Sequence, residues 1–235
     1  MKAVAIITAR GGSKRIPFKN IKLFHNKPII AYSIEAAISS RIFDEVMVST
    51  DDPAIADIAR KCGAVVPFMR SKETSDDHST TADVLKEVIK EYNATGKKFL
   101  YACCIYPTAP FITGERLANA FQLLIKSEAD SVVPVTKFSF PIWRSFKMDN
   151  NKISYNWPEF APRRSQDLPP AYHDCGQFYF FKCDRFLETG KLVTENTFGL
   201  EVPESEVQDI DNEEDWKIAE MKYDLLQKKQ SISEV

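Results

Sequence analysis

The segment Ala3-Val4-Ala5-Ile6-Ile7 is short, continuous and apolar, the signature of a strand buried on both faces. It empties into Ala9-Arg10-Gly11-Gly12-Ser13-Lys14-Arg15-Ile16-Pro17-Phe18-Lys19-Asn20, and an amphipathic helical pattern follows over 28–40. The alternation continues. Strand patterns cover Ala3–Thr8, Glu45–Ser49, 65–68, 99–105 and 131–136. Helical patterns cover 53–62, 80–92 and Gly114–Lys126. Such alternation predicts a parallel sheet with helices on both faces. Ligands of such sheets sit beyond the carboxyl ends of the strands, so the loops after Ile7, Ser49, Phe68 and Ile105 are the expected functional loops.

The first loop suits polyphosphate. Gly11 and Gly12 permit close backbone approach and positive φ. Successive backbone N–H groups can form an anion-binding concavity. Arg10, Lys14, Arg15 and Lys19 add charge, and arginine grips phosphate bidentately. By its glycines alone, the loop also fits an ordinary solvated turn. Gly12-Ser13-Lys14-Arg15 has the wrong order for a P-loop, and no G-x-G-x-x-G follows the first strand.

At 235 residues, with 44% hydrophobic and 27% charged content, the chain can build one sizeable core, and we read residues 1–235 as one domain. A net charge of −2 argues against a nucleic-acid binder. Five cysteines without a Cys-x-x-Cys pair suggest neither a disulfide framework nor zinc. No stretch approaches transmembrane length, so no membrane partner and a reducing cytoplasm are expected.

The pattern changes after Lys137. Residues 138–171 are rich in proline and aromatics, with a hairpin turn at Met148-Asp149-Asn150-Asn151-Lys152. We read them as an insertion that exposes Trp143, Phe146, Tyr155 and Trp157 for a contact surface. A loop folded back on its own core is the alternative. Strand structure returns over 176–182. A helix over 213–229, capped by Asn212, closes the chain, with 230–235 frayed. Before it, Asp209-Ile210-Asp211 puts two carboxylates on one side of an extended segment, with Ile210 turned inward. Two hard oxygen donors suit Mg²⁺; a pair of helix-capping acids is the other reading. Likewise, Arg70-Ser71 and the segment 76–81 carry Ser, Thr and Asp that ordinary capping would explain.

Whole motifs are more specific than these spacings. The loop from Ala9 to Asn20 resembles the signature A-R-x-G-S-K-x-I-P-x-K-N of cytidylyltransferases that activate nine-carbon acidic sugars, the CMP-N-acetylneuraminic acid synthetase family. Every fixed position is matched: Ala9, Arg10, Gly12, Ser13, Lys14, Ile16, Pro17, Lys19 and Asn20. Arg15 stands where the sialic acid branch usually has Gly. Gln208-Asp209-Ile210-Asp211 and Asp215-Trp216 are similar to the family's Q-D-I-D and D-W. Pro107-Thr108-Ala109-Pro110 is similar to its P-T-[SA]-P turn, but Tyr106 replaces the Gln that commonly precedes it in the sialic acid branch. Arg164-Ser165-Gln166-Asp167-Leu168 and Tyr172-His173-Asp174-Cys175-Gly176-Gln177-Phe178-Tyr179, together with Cys103-Cys104-Ile105-Tyr106, look like the pseudaminic acid branch.

That resemblance, from Ala3 to Trp216, implies a three-layer Rossmann-like α/β nucleotidyltransferase with a mostly parallel sheet and a projecting dimerisation extension. It implies an enzyme that converts CTP and pseudaminic acid to CMP-pseudaminic acid and pyrophosphate, by in-line attack of the anomeric hydroxyl on the α-phosphorus. Arg10, Lys14 and Lys19 would face the triphosphate as catalytic cations, within a nucleotide loop that includes Ala9, Gly11, Gly12, Ser13 and Asn20. Arg70, Thr80 and Thr81 would read cytosine and ribose. Asp209 and Asp211 would hold Mg²⁺, with Asp211 catalytic and Asp215 structural. Tyr106, Arg163, Arg164, Gln166, His173, Gln177 and Tyr179 would contact the sugar, Arg163 or Arg164 pairing with its carboxylate across a homodimer interface. N-acetylneuraminic or legionaminic acid as acceptor is the nearest rival, and a CTP-binding protein without turnover is a distant one.

Overall fold

The computed structural model describes residues 2–76 and 78–233. In chain order the main elements begin with β1 (Ala3–Thr8), the small β2–β3 ladder (Leu23–Phe24, Lys27–Pro28), α1 (Ile29–Ser40), β4 (Glu45–Ser49) and α2 (Pro53–Lys61). Then come α3 (Thr81–Ala94), β5 (Tyr101–Ile105), α4 (Gly114–Lys126) and β6 (Ser131–Lys137). The hairpin β7–β8 (Phe146–Asp149, Lys152–Tyr155) precedes β9 (Tyr172–Asp174), β10 (Phe178–Lys182), α5 (Cys183–Thr189), β11 (Thr197–Glu201) and α6 (Glu213–Ser233).

One seven-stranded sheet has the order β11-β6-β10-β5-β1-β4, with β9 also paired to β6. β1 runs parallel to β4 and β5, and β11 runs parallel to β6. β10 is antiparallel to β5 and β6, and β9 to β6, so the sheet is mostly parallel. The register sets Thr8 beside Ser49 and Ile7 beside Ile105, so three parallel strands end together at one edge.

The two-residue period of the strands divides the core. Ala3, Ala5, Ile7, Cys103 and Ile105 meet the helices α1, α2 and α4 on one face. Val4, Ile6, Ala102 and Cys104 meet Leu85 and Val88 of α3 and Phe186 of α5 on the other. Each fully buried isoleucine contributes roughly 1.5–3 kcal/mol. Local chemistry starts the helices. Asp52 accepts from the backbone N–H groups of Ala54 and Ile55 with Pro53 at the first helical position, and Thr80 and Asp83 form a capping box. Thr113 caps α4, and Asn212 accepts from the N–H groups of Glu214 and Asp215 ahead of α6.

A third apolar cluster lies at the carboxyl edge. It joins Ile16 of the first loop to Ile210 between the two late acids, through Phe24, Ile29, Tyr32, Phe111, Trp216 and Ala219. This cluster brings two segments nearly two hundred residues apart to the same place.

Three expectations change. Residues 65–68 form no strand: Val65 makes a single parallel bridge to Met47, and Pro67, which has no N–H, ends the pairing. Of Trp143, Phe146, Tyr155 and Trp157, only Phe146 is exposed. Trp143 packs its ring 5.5 Å from Trp157 and 5.6 Å from Phe160, and Tyr155 lies 4.6 Å from Phe146. The chain does not fray at 230, because α6 runs to Ser233; Glu234 and Val235 lie outside the described residues. The hairpin forms as expected, with Asn150 at φ 47° and Asn151 at φ 64°, the left-handed pair a two-residue turn requires. No helix among the described residues is long and apolar enough to cross a membrane.

Candidate active site

A cavity of about 560 Å³ opens at the carboxyl ends of β1 and β5. Its walls come from the loops after β1 and β5, from the segment between β4 and α3, and from Asp209 and Asp211. The loop after β4 acts from behind: Asp51 accepts from the first loop and Asp52 lies close against it.

That first loop is held by named contacts. The Gly11 N–H donates to Asp51 Oδ1 at 3.0 Å. A Cβ on Gly11 would sit 2.7 Å from Asp52 Oδ2 and 2.9 Å from Asp52 Cβ, so glycine is required there by close approach. Neither Gly11 nor Gly12 has positive φ, contrary to expectation, and nothing lies within 4 Å of a Cβ on Gly12. The Ser13 N–H is used by the Gly11 carbonyl at 3.0 Å, so with Gly11 also committed the loop offers fewer N–H groups to a ligand than expected. Ala9 is buried beneath the loop. Asn20, also buried, donates from Nδ2 to the Arg10 carbonyl at 2.8 Å while reaching the cavity wall.

Side chains supply the charge. Arg10, Lys14, Arg15 and Lys19 all line the cavity. Arg10 Nη1 donates to the Asp76 carbonyl at 2.9 Å. Lys19 Nζ donates to the Ile210 carbonyl at 2.7 Å, and Arg15 pairs with Asp211 Oδ1 at 2.8 Å. Thus the early cations and the late acids meet. Burial pushes the Lys19 pKa down, against the pull of Asp211 and Asp209. Desolvation at the wall, reinforced by the like charge of Asp211, pushes Asp209 up, with Lys19 opposing. Asp215 lies behind, accepting from the N–H groups of Asp211 and Asn212, which leaves the other two carboxylates facing the cavity.

These acids fit a divalent metal with few protein ligands. No cluster of three or more His, Cys, Asp or Glu side chains suited to a metal exists among the described residues. Mg²⁺ commonly takes one or two carboxylates and completes its shell with water and substrate phosphate. A like-charged pair in which one member is pushed toward neutrality gains from a cation between them.

Arg70 is buried in the cavity wall, with Nε on Ser49 Oγ at 3.0 Å and Nη2 on the Ser49 carbonyl at 2.6 Å. Thr81 lines the cavity, its hydroxyl 3.3 Å from the Tyr106 hydroxyl. Thr80 does not: it is exposed and bonded to Asp83 at the start of α3.

A second cavity of about 540 Å³ adjoins the first, sharing Tyr106 and Asp209. His173 and Tyr179 line it, as does Asp174, which accepts from the Tyr179 hydroxyl at 2.6 Å and the Gly176 N–H at 2.7 Å. Burial, aided by Tyr106 and Asp174, pushes the Tyr179 phenol up, so it remains a neutral donor. The other expected sugar residues lie elsewhere. Gln177 is buried and turned inward, its Nε2 donating to the Glu206 carbonyl at 2.6 Å. Arg163, Arg164 and Gln166 sit on the insertion and line neither cavity. Arg164 pairs with Asp167 at 2.8 Å, and Arg163 lies over the Phe160 ring. The sequence assigned no site role to Asp51, Asp52, Asp76, Asp174 or Lys222, although Asp76 lies in the capping segment 76–81, Asp174 lies in the motif from Tyr172 to Tyr179, and Asp51 and Asp52 are adjacent acids soon after β4.

Four cations of the first loop and a pair of acids lining one cavity, beside a second polar cavity, suit transfer of a nucleotidyl group between a nucleoside triphosphate and a polar acceptor. A cytidylyltransferase family model matches residues 4–181. A pseudaminic acid cytidylyltransferase of Campylobacter jejuni is 40% identical over 95% of this chain and 97% of its own length. A CMP-N,N'-diacetyllegionaminic acid synthase of Legionella pneumophila is 33% identical over 97% of this chain and 98% of its own length. Among solved structures, a CMP:2-keto-3-deoxy-manno-octonic acid synthetase complexed with CTP superposes with a TM-score of 0.69 at 18% identity, covering 97% of this chain and all of that one.

Proposed function

The chain belongs to the cytidylyltransferase family, and from that premise we propose that it transfers CMP from CTP to pseudaminic acid with release of pyrophosphate. The observation that carries this reading is the contact of Lys19 and Arg15 with the Ile210-Asp211 segment beside one cavity. Relatives named for the same sugar, at 40% and 39% identity, supply the acceptor.

In this reading the anomeric oxygen bonds to the α-phosphorus as the bond from that phosphorus to the pyrophosphate oxygen breaks, and the hydroxyl proton passes to solvent water. Arg10, Lys14 and Lys19 stabilise the charge that gathers on the departing pyrophosphate. Arg70 and Thr81 hold the nucleoside end, while Tyr106 and Tyr179 shape the acceptor cavity and exclude water from it. Asp209 and Asp211 would hold Mg²⁺, which when bound supplies positive charge beside the phosphates and acidifies a hydroxyl that it touches. No protein general base is assigned; positioning and charge neutralisation carry the chemistry. We read the chain as one nucleotidyltransferase domain acting in the cytoplasm, consistent with its unpaired cysteines. We read 138–171 as the element that pairs two copies. Phe140, Met148 and Ile153, which are 83%, 71% and 62% exposed, support that role.

The test is pyrophosphate release from CTP and Mg²⁺ with pseudaminic, N-acetylneuraminic or legionaminic acid supplied in turn. Pseudaminic acid should give the highest kcat/KM, and no turnover with it would end the assignment. Asp211→Ala should keep the fold by circular dichroism and lose turnover. Sedimentation should give twice the monomer mass.

A further inference from the structure

We propose that Lys222, on the final helix, receives the carboxylate of the acidic sugar. The inference rests on the acceptor class proposed above and assigns a specificity residue within that site.

Besides Tyr106, Tyr179 and Cys175, whose burial keeps them neutral, the ionisable residues that line the acceptor-side cavity are Asp174, Glu204, Asp209, His173 and Lys222. Three acidic residues therefore share the lining with one permanent cation. An anionic ligand entering such a cavity meets net repulsion unless a cation is placed to receive it. Lys222 has that placement. Its ammonium donates to the Val207 carbonyl at 2.7 Å and to the Glu204 carbonyl at 3.4 Å, two neutral acceptors. Among the described residues it forms no ion pair. Two of its three donors are thus occupied by groups that leave its charge uncompensated.

Position strengthens the assignment. In a 2-keto acid sugar the carboxylate is attached to the anomeric carbon itself. The group that binds it must therefore lie beside the attacking oxygen. Lys222 is fastened to Val207, two residues before Asp209, which stands at the boundary with the nucleotide cavity. Within the same chain Arg163 and Arg164 line neither cavity, so among the described residues Lys222 is the permanent cation that this chain itself places in the acceptor-side lining.

The test compares an acidic sugar with its methyl ester as acceptor, using full-length wild type, Lys222→Met, Lys222→Gln and Lys222→Arg. Methionine keeps much of the apolar stem; glutamine can keep a bond to the carbonyls without charge. Wild type should prefer the acid. In the Met and Gln variants the KM for the acid should rise by roughly 10–100-fold, the scale of a charged hydrogen bond, with the KM for CTP little changed. The preference for acid over ester should disappear, and Lys222→Arg should restore part of it. A lysine that merely pins Val207 and Glu204 would depress acid and ester alike; an unchanged acid-to-ester ratio in folded Gln variant therefore overturns the proposal. The comparison uses whichever acid of the three-sugar panel wild type turns over best, since all three carry the carboxylate at the same carbon. A wrong choice of sugar would then show as wild-type preference for another acid, separately from the ratio.

Discussion

Gly11 and Gly12 are adjacent in sequence, yet they should respond oppositely to alanine. Neither has the positive φ that would penalise a side chain, so space alone decides. At Gly12 a Cβ meets nothing within 4 Å, and Gly12→Ala should change stability by no more than about 0.5 kcal/mol. At Gly11 the same atom falls 2.7 Å from Asp52 Oδ2, 2.9 Å from its Cβ and 3.2 Å from its Cγ. Rotating the carboxylate away cannot relieve the contact with Cβ, so backbone must move. Asp52 is also fixed as the cap of α2, accepting at 2.7 Å from Ala54 and 3.3 Å from Ile55. Losing that cap costs about 1 kcal/mol, and losing the Gly11 N–H bond to Asp51 costs about 1 kcal/mol more. Gly11→Ala should therefore destabilise by about 2 kcal/mol and lower Tm by about 4–8 °C for a chain of this size. Displacing the loop should also raise the KM for CTP. Adding Asp52→Gly, which removes the clashing atoms, should recover most of the CTP affinity but not the cap. Thermal denaturation and CTP kinetics of the two single variants and the double variant test this. Equal effects at Gly11 and Gly12 would refute the steric argument.

Arg10→Ala should raise the barrier for CTP by about 2–4 kcal/mol if Arg10 stabilises developing charge, and an unchanged kcat/KM for CTP would contradict that. Asp209→Asn should stabilise the metal-free protein at neutral pH. The folded-state pKa of Asp209 lies above its unfolded value, so its ionisation penalises the fold above that pKa, and the penalty fades as pH falls through it. Urea midpoints of both proteins across pH check this; a gap that widens toward acid would reverse the sign. Burial pushes the thiols of Cys104, Cys175 and Cys183 up to about 12 and Cys103 well above its ordinary value; Cys62 is half-buried and also raised by burial. A thiol reagent at about pH 8 should reach Cys62 slowly and all five only in denaturant. Rapid native labelling of two or more thiols would be inconsistent with this core.

The elements that were legible were those whose cause is local. β1, β4 and α4 have the bounds their patterns predict, because apolar period and a capping residue act over a few positions. The apolar segment at 65–68 misled because Pro67 removes a donor that pattern alone does not weigh. For the site, motif resemblance pointed to Lys19, Asp209 and Asp211, but residue type could not orient side chains. Gln177 turns inward and Thr80 serves its own helix, as polar residues near strand and helix ends often do. Lys222 carries no local signal at all, because a lysine on a helix is ordinary until a cavity lies beside it.

Sequence by itself therefore determined an alternating α/β chain, a cationic glycine loop behind its first strand and a pair of acids before its last helix. Tertiary structure decided that these face one another. Ile16 and Ile210 are buried in one apolar cluster, and that burial carries Arg15 to Asp211 and Lys19 to the Ile210 carbonyl. Packing of residues so distant in the chain depends on the whole core, so no local pattern encodes it.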